Sequence, residues 1–311
     1  MKANNYKHMA MLLLTAIIWG IAFVAQSEGG DALGPFAFNS IRSIIGSIVL
    51  IPVIKLSDSM NLTKRKPATD RERLYLFKSG FVCGIVMLIA SSFQQIGIYL
   101  GTSVGKAGFL TACYILIVPI LSLLLGKKCG INIWIGVCIA IAGLYMLCMD
   151  GRFMIEGSDV IVLVCALAFS VHILVVDKVS PQVDGVRLSC IQFFVCGIVG
   201  LIPAFIVDMN HSISGILKWA PALLNKGAWI SLLYAGVMSC GVAYTLQIIG
   251  QVGVNPTIAS MIMSLESVVS VIAGSVILNQ NMKNRELLGC VLIFIAIIIA
   301  QLFDGDKKTE G

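Results

Sequence analysis

QIGIYLGTSVGKAG (residues 95–108) aligns with QIIGQVGVNPTIAS (residues 247–260) at an offset of 152 residues, and this pairing decides how the chain is organised. The alignment pairs Gln95 with Gln247, Gly101 with Gly253, and Ala107 with Ala259, each an identical residue. GSIVLIP (46–52) matches GIVGLIP (197–203) at an offset of 151. Because nearly the same offset recurs in separated segments, we predict two copies of one unit, residues 1–150 and 151–311.

The composition indicates that most of the surface faces lipid. Of 311 residues, 58% are hydrophobic and 12% are charged, whereas soluble chains carry roughly 25% charged residues. The mean hydropathy of +0.94 points the same way. We therefore predict an all-α integral membrane protein, and the net charge of +6 is interpreted as a topology signal rather than a nucleic-acid signal.

Ten segments are apolar and long enough to cross a bilayer, which takes about 20 residues. They are residues 8–27, 36–55, 74–99, 104–126, 131–149, 158–177, 186–208, 228–250, 255–278 and 285–303. Each unit therefore holds five transmembrane helices. Since five is odd, the second copy enters the membrane from the opposite side, which predicts two inverted five-helix repeats. Transporters often have this design, with the substrate site near the midplane between the repeats.

Basic residues predict the orientation. With both termini in the cytoplasm of a bacterial inner membrane, 14 Lys and Arg residues fall on the inside and 6 on the outside. The inside residues are Lys2, Lys7, Lys55, Lys64, Arg65, Lys66, Arg71, Arg73, Lys127, Lys128, Lys178, Arg187, Lys307 and Lys308. The outside residues are Lys106, Arg152, Lys218, Lys226, Lys283 and Arg285.

Glu266 is the first candidate site residue. It lies ten residues after Pro256, which is about 15 Å along a helix and half of a bilayer core about 30 Å thick. A charge at this depth is costly, so Glu266 is expected to face the bundle interior, paired or protonated. It would bind a substrate ammonium or couple transport to protons; the alternative is a structural contact between helices.

Arg42 is the second candidate, about 10 Å into the second span, seven residues past Pro35. Three roles stay open: Arg42 contacts a substrate carboxylate, pairs with Glu266, or extends to the outer interface.

Five further residues complete the predicted site. Tyr114 occupies the repeat position of Glu266, and Trp19 corresponds to Phe169 at an offset of 150. Such aromatic rings stack on a solute or simply pack. His172 is interpreted as a proton relay, as a hydrogen-bond donor to the substrate, or as a core histidine. Gln95 and Gln247 share one repeat position, so both are predicted to reach the cavity.

Three stretches carry a family resemblance: TAIIWGIAFVAQ (15–26), GKAGFLTACYILIVPILSLLLGKKCGINIWIGVCIAIAGLYML (105–147) and ASMIMSLESVVSVIAGSVILNQNMKNRELLGCVLIFIAIIIAQL (259–302). They resemble the EamA branch of the drug/metabolite transporter superfamily. The resemblance covers nearly the whole chain and implies a small-solute permease, commonly for the export of amino acids and related metabolites. Family members often have Leu-Glu-Pro where this chain has Leu265-Glu266-Ser267.

The sequence therefore predicts a secondary transporter that works by alternating access. No P-loop and no H-E-x-x-H motif is present, and we expect no catalytic residue, metal or cofactor. The expected partners are a small-molecule substrate and membrane lipids but no nucleic acid, and a homodimer stays open. The alternative is an integral membrane enzyme or sensor that acts on a lipid or a small hydrophobic molecule.

Overall fold

The structure is a computed structural model that describes residues 2–61, 63, 65–126, 130–148, 156–277 and 284–302. This part of the chain is helical, without strands. The helices are α1 (Lys2–Leu33), α2 (Pro35–Ser59), α3 (Asp70–Tyr99), α4 (Val104–Ala112), α5 (Tyr114–Leu124), α6 (Ile131–Cys148), α7 (Gly157–Val179), α8 (Gly185–Pro203), α9 (Ile213–Trp219), α10 (Lys226–Leu233), α11 (Tyr244–Gly250), α12 (Pro256–Met263), α13 (Glu266–Ile277) and α14 (Asn284–Leu302). Two π-helical segments, Ala204–Asp208 and Tyr234–Ala243, extend α8 and join α10 to α11.

Among the described residues, eight helical segments are long and apolar enough to cross a membrane. They correspond to eight of the ten predicted spans. The fifth and tenth predicted spans coincide with α6 and α14, whose apolar parts, Ile131–Met146 and Leu287–Ile299, are shorter. The predicted ends of three spans, at residues 149, 278 and 303, lie outside the described residues.

Two predicted continuous spans are broken, and the breaks occupy the same repeat position. Residues 104–126 divide into α4 and α5 at Cys113, and residues 255–278 divide into α12 and α13 between Met263 and Glu266. Before each pair stands a glycine in the left-handed region, Gly101 with φ 108° and Gly253 with φ 78°. Only glycine adopts this conformation without strain, so the aligned glycines reflect a shared backbone geometry.

The helix contacts of one half recur in the other half, with the roles of the two halves exchanged. Helix α1 packs against α13, as α7 packs against α4 and α5. Helix α3 packs against α7, as α1 packs against α11 and the preceding π-helical segment. Helices α2 and α8 pack against each other, and so do α6 and α14. Each contact thus has a counterpart with the halves exchanged, as a pseudo-two-fold axis requires.

Glycines allow the closest of these crossings. A Cβ atom at Gly84 of α3 would lie 2.7 Å from the Gln192 carbonyl oxygen of α8. At Gly236, which is 152 residues further along the chain, a Cβ would lie 3.0 Å from the Arg42 carbonyl oxygen of α2. Small residues of this kind let membrane helices approach closely.

We expect Gly84→Ala and Gly236→Ala each to destabilise the fold by about 1–3 kcal/mol, because the added methyl group forces the helices apart. Thermal unfolding in detergent, followed by circular dichroism, measures the loss. Gly105→Ala is the matched control, since its Cβ would meet its nearest neighbour at an ordinary 3.7 Å. Equal midpoints for the wild type and all three variants would contradict the close packing.

Polar contacts join helix ends at two opposite faces of the bundle. At the face that holds the start of α1, Arg187 donates to both carboxylate oxygens of Asp58 at 2.7 Å. At the opposite face, the Asp208 carboxylate accepts from the Ala37 backbone N–H at 2.6 Å, and Lys106 pairs with Asp159. Segments that the sequence predicts to lie on the same side of the membrane thus contact one another at the same face of the bundle. Seven of the basic residues used to predict orientation lie outside the described residues: Lys64, Lys127, Lys128, Arg152, Lys283, Lys307 and Lys308.

Candidate functional site

A narrow cavity lies between the two halves, in the middle of the bundle. About 20 Å³ of it is open to a water-sized sphere, which is room for roughly one water. Both halves of the chain contribute to its walls. The lining residues are Trp19, Phe23, Gln26, Arg42, Gln94, Thr111, Tyr114, Phe169, Ser239, Tyr244 and Glu266.

Glu266 and Tyr114 form a direct hydrogen bond at the centre of this cavity. The Tyr114 hydroxyl donates to Glu266 Oε1 at 2.9 Å, and the two residues are 3% and 2% exposed. They are repeat equivalents, and residues exchanged by a two-fold axis can touch only close to that axis. The contact therefore marks the centre of the pseudo-symmetry.

The helix breaks place both groups there. Tyr114 is the first residue of α5 and Glu266 is the first residue of α13. The positive end of a helix dipole stabilises a carboxylate at such a position. In the described part of the chain no arginine or lysine pairs with Glu266 within 4.0 Å, so the start of α13 supplies the partial positive charge beside the carboxylate.

Arg42 lines the same cavity and is 4% exposed. Its Nε and Nη2 donate to Asn39 Oδ1 at 3.1 and 2.9 Å, and its guanidinium lies 5.6 Å from the centre of the Phe38 ring. Asn39 in turn donates to the Ser91 hydroxyl at 2.9 Å. This hydrogen-bond network through Asn39 holds the guanidinium in place.

The predicted option of an Arg42–Glu266 pair is not observed. No ion pair within 4.0 Å joins Arg42 to a carboxylate in the part of the chain that the structure describes. Arg42 is satisfied by the Asn39 amide oxygen and Glu266 by the Tyr114 hydroxyl. The cavity thus presents one cation and one carboxylate that are not bonded to each other.

Aromatic rings cover much of the remaining wall. The Trp19 and Tyr244 ring centroids lie 4.5 Å apart with the planes tilted by 53°, and Phe169, the repeat counterpart of Trp19, also lines the cavity. Within the described residues, the Trp19 indole N–H and the Gln26 side-chain oxygen have no hydrogen-bond partner. Two residues of the lining therefore carry a polar atom without a partner among the described residues, beside apolar surface.

Three predicted site residues lie one layer outside this lining. His172 is buried, with Nε2 3.1 Å from Gln192 Oε1 and its ring edge-on to Tyr244. Gln95 donates to the Gln26 backbone oxygen at 2.7 Å, and Gln247 is buried at 1% exposure. None of the three is among the residues that line the cavity. Four of the predicted residues are: Glu266, Arg42, Tyr114 and Trp19.

Several residues that line the cavity were not predicted from the sequence. Gln94 donates to the Thr111 hydroxyl at 3.1 Å, but the repeat identity of the sequence points to its neighbour Gln95. Ser239 and Tyr244 lie within and directly after the π-helical segment. A π-helical turn shifts which residues face inward, so a regular helical period could not have placed them.

No group of three or more His, Cys, Asp or Glu side chains that could hold a metal ion occurs among the residues that the structure describes. The described lining offers a carboxylate, a guanidinium, hydroxyls and aromatic rings.

Comparison with known proteins agrees with this picture. The sequence matches the EamA-like transporter family twice, over residues 7–149 and 157–301. A protein of Archaeoglobus fulgidus named an uncharacterized transporter is 28% identical over 295 residues, which cover 94% of this chain and 84% of that protein. A solved crystal structure superposes with a TM-score of 0.72 and 16% identity over 98% of this chain and 99% of the other; this similarity concerns the fold.

Proposed function

Because the chain belongs to the EamA-like transporter family, we propose that it is a secondary transporter for a small zwitterionic metabolite, an amino acid or a related compound. Membership of a transporter family favours this function over a membrane enzyme or sensor. The direction that we propose is export across the bacterial inner membrane, as the resemblance implies. Both termini lie in the cytoplasm in this proposal.

One observation carries the substrate class. Arg42 and Glu266 line one cavity without an ion pair between them. An amino acid carries the complementary pair of charges, and a guanidinium matches a carboxylate with two parallel hydrogen bonds. The substrate ammonium would bind the Glu266 carboxylate beside the Tyr114 hydroxyl, which donates to Oε1, while the aromatic walls would contact the side chain.

The broken helices support transport by alternating access. Transporters with inverted repeats bind their substrates where discontinuous helices meet near the midplane, and the α4–α5 and α12–α13 breaks meet at this cavity. In our proposal the ten predicted spans form two inverted halves, with α6 and α14 as the fifth and tenth spans. The halves rock about the central cavity.

The two faces of the bundle differ in a way that fits this mechanism. A second cavity of about 480 Å³ opens at the face that holds Lys7 and His8. At the opposite face, Lys106 pairs with Asp159, which is fully buried and also accepts a hydrogen bond from Thr102. One face thus carries a surface cavity, whereas the other is held together by a buried ion pair.

Substrate class is tested by counterflow in proteoliposomes loaded with an unlabelled amino-acid mixture. We expect labelled amino acids to exchange at least tenfold faster than the matching amines, because only the former offer Arg42 a carboxylate. Arg42→Gln should reduce this preference about tenfold, in line with the loss of a charge-assisted hydrogen bond. Arg73→Gln is the control, since Arg73 is exposed and pairs with Asp70 at 3.3 Å. Wild-type exchange of amines at the amino-acid rate would contradict the proposal.

A further inference from the structure

A separate, larger cavity lies at the membrane surface, away from the central site. It has a volume of about 590 Å³ and lies between the segment 65–67, the start of α3, and the connection from α7 to α8. Its lining combines basic, acidic and apolar side chains: Arg65, Lys66, Pro67, Arg71, Glu72, Leu74, Tyr75, Leu76, Lys78, Gln182, Val183 and Asp184.

Both carboxylates that line this cavity already accept hydrogen bonds from groups of the protein. Glu72 accepts from the backbone N–H groups of Ala68 and Thr69 at 2.8 and 3.3 Å and so caps α3. Asp184 accepts from the backbone and the guanidinium of Arg187 at 2.9 and 3.3 Å. The four cations of the lining nevertheless outnumber these two acids, so its net charge is positive.

The cations are less completely paired. Lys66 binds Asp58 at 2.9 Å. Arg65, Arg71 and Lys78 form no ion pair within 4.0 Å in the described ranges. Arg71 and Lys78 are seven residues apart on α3, so they share one helix face about 10 Å apart. The cavity is therefore built for an anion.

An apolar track leads from the cavity along α3 toward the membrane interior. Leu74 lines the cavity and is 53% exposed, and Phe77 and Phe81 continue the same face at 53% and 45% exposure. Tyr75, beside the cations, has the amphipathic character that favours the headgroup region. A soluble anion would use the cations but not this track, whereas a lipid would use both.

We propose that this cavity binds an anionic glycerophospholipid, with the phosphate at Arg71 and Lys78 and an acyl chain along Leu74, Phe77 and Phe81. The site lies beside the Asp58–Arg187 ion pair, which joins the first half of the chain to the second. A bound lipid would therefore contact both halves at the face that holds the start of α1.

Native mass spectrometry of the purified, delipidated full chain tests the proposal with three probes. Dioleoylphosphatidylglycerol should bind at least tenfold more tightly than dioleoylphosphatidylcholine, and glycerol 3-phosphate alone should not bind at the same concentration. Arg71→Gln/Lys78→Gln should weaken binding of the anionic lipid about thirtyfold, because each basic group near the membrane surface contributes roughly fivefold.

Arg73→Gln/Lys55→Gln is the matched control, because it removes the same charge from residues outside the cavity lining. It should stay within twofold of the wild type. Unchanged lipid binding by the Arg71 and Lys78 double variant would overturn the proposal and leave these cations as topology anchors. Binding of glycerol 3-phosphate as tight as that of the lipid would also overturn it. If the double variant does not fold, Phe81→Ser decides: weaker lipid binding supports the track, and unchanged binding overturns it.

Discussion

Glu266→Gln is expected to reduce kcat/KM for transport about hundredfold while the protein stays folded. Among the described lining residues Glu266 is the one carboxylate, so the amide removes the only anionic partner for a substrate ammonium at the centre of the cavity. Truncating one member of a buried charge pair costs on the order of 2–5 kcal/mol, and about 2.7 kcal/mol corresponds to a hundredfold change. Initial rates of counterflow in proteoliposomes measure the effect.

The amide also relieves the cost of holding a carboxylate in the membrane interior. The thermal midpoint of Glu266→Gln in detergent should therefore equal or exceed that of the wild type. A loss of transport then reflects chemistry and not unfolding.

Two variants calibrate the result. Tyr114→Phe removes one hydrogen bond to Glu266 and should slow transport about fivefold, the value of roughly 1 kcal/mol. Glu28→Gln neutralises an exposed carboxylate of α1 and should leave transport within twofold. Wild-type kinetics for Glu266→Gln would remove this residue from the mechanism and leave its contact with Tyr114 as a structural hydrogen bond between helices.

The repeat was the most informative feature of the sequence. The offset of 152 residues that aligned Gly101 with Gly253 also aligned Tyr114 with Glu266. In the structure the glycines share a left-handed backbone, and the other pair touches at 2.9 Å. The depth of Glu266 stays a prediction, because it assumed an unbroken helix from Pro256, whereas the chain is interrupted between Met263 and Glu266.

Other features of the site were beyond the sequence. Asn39 is the partner of Arg42, but an asparagine three residues before an arginine is common, and nothing in the pattern distinguishes a network from chance. The break at Cys113 contains neither proline nor glycine, so no local signal ends α4 there. The position of such a break depends on tertiary packing against the second half. The local spacing of residues in one sequence does not reveal that packing.

The π-helical segment Tyr234–Ala243 had the largest effect on the predicted site. It turns Ser239 and Tyr244 toward the cavity, whereas the span was predicted as one regular helix. π-helical turns often occur at functional sites. Its pseudo-symmetric counterpart in α3 is a regular α-helix, so this feature distinguishes the two halves.

In the proposed mechanism, one midplane cavity opens to each side of the membrane in turn. Ser239 tests it well, because it is buried at 2% exposure and lines the cavity. The measurement uses Ser239→Cys in a chain whose ten native cysteines are replaced, in oriented vesicles. Arg65→Cys and Lys226→Cys, at opposite faces, report the sidedness of the membrane-impermeant thiol reagent.

We expect Arg65→Cys to react from the cytoplasmic side alone and Lys226→Cys from the outer side alone. Ser239→Cys should react completely from either side, lose transport when modified, and be protected by the transported amino acid. Modification of Ser239→Cys from one side alone, in a variant that still transports, would contradict alternating access at this cavity.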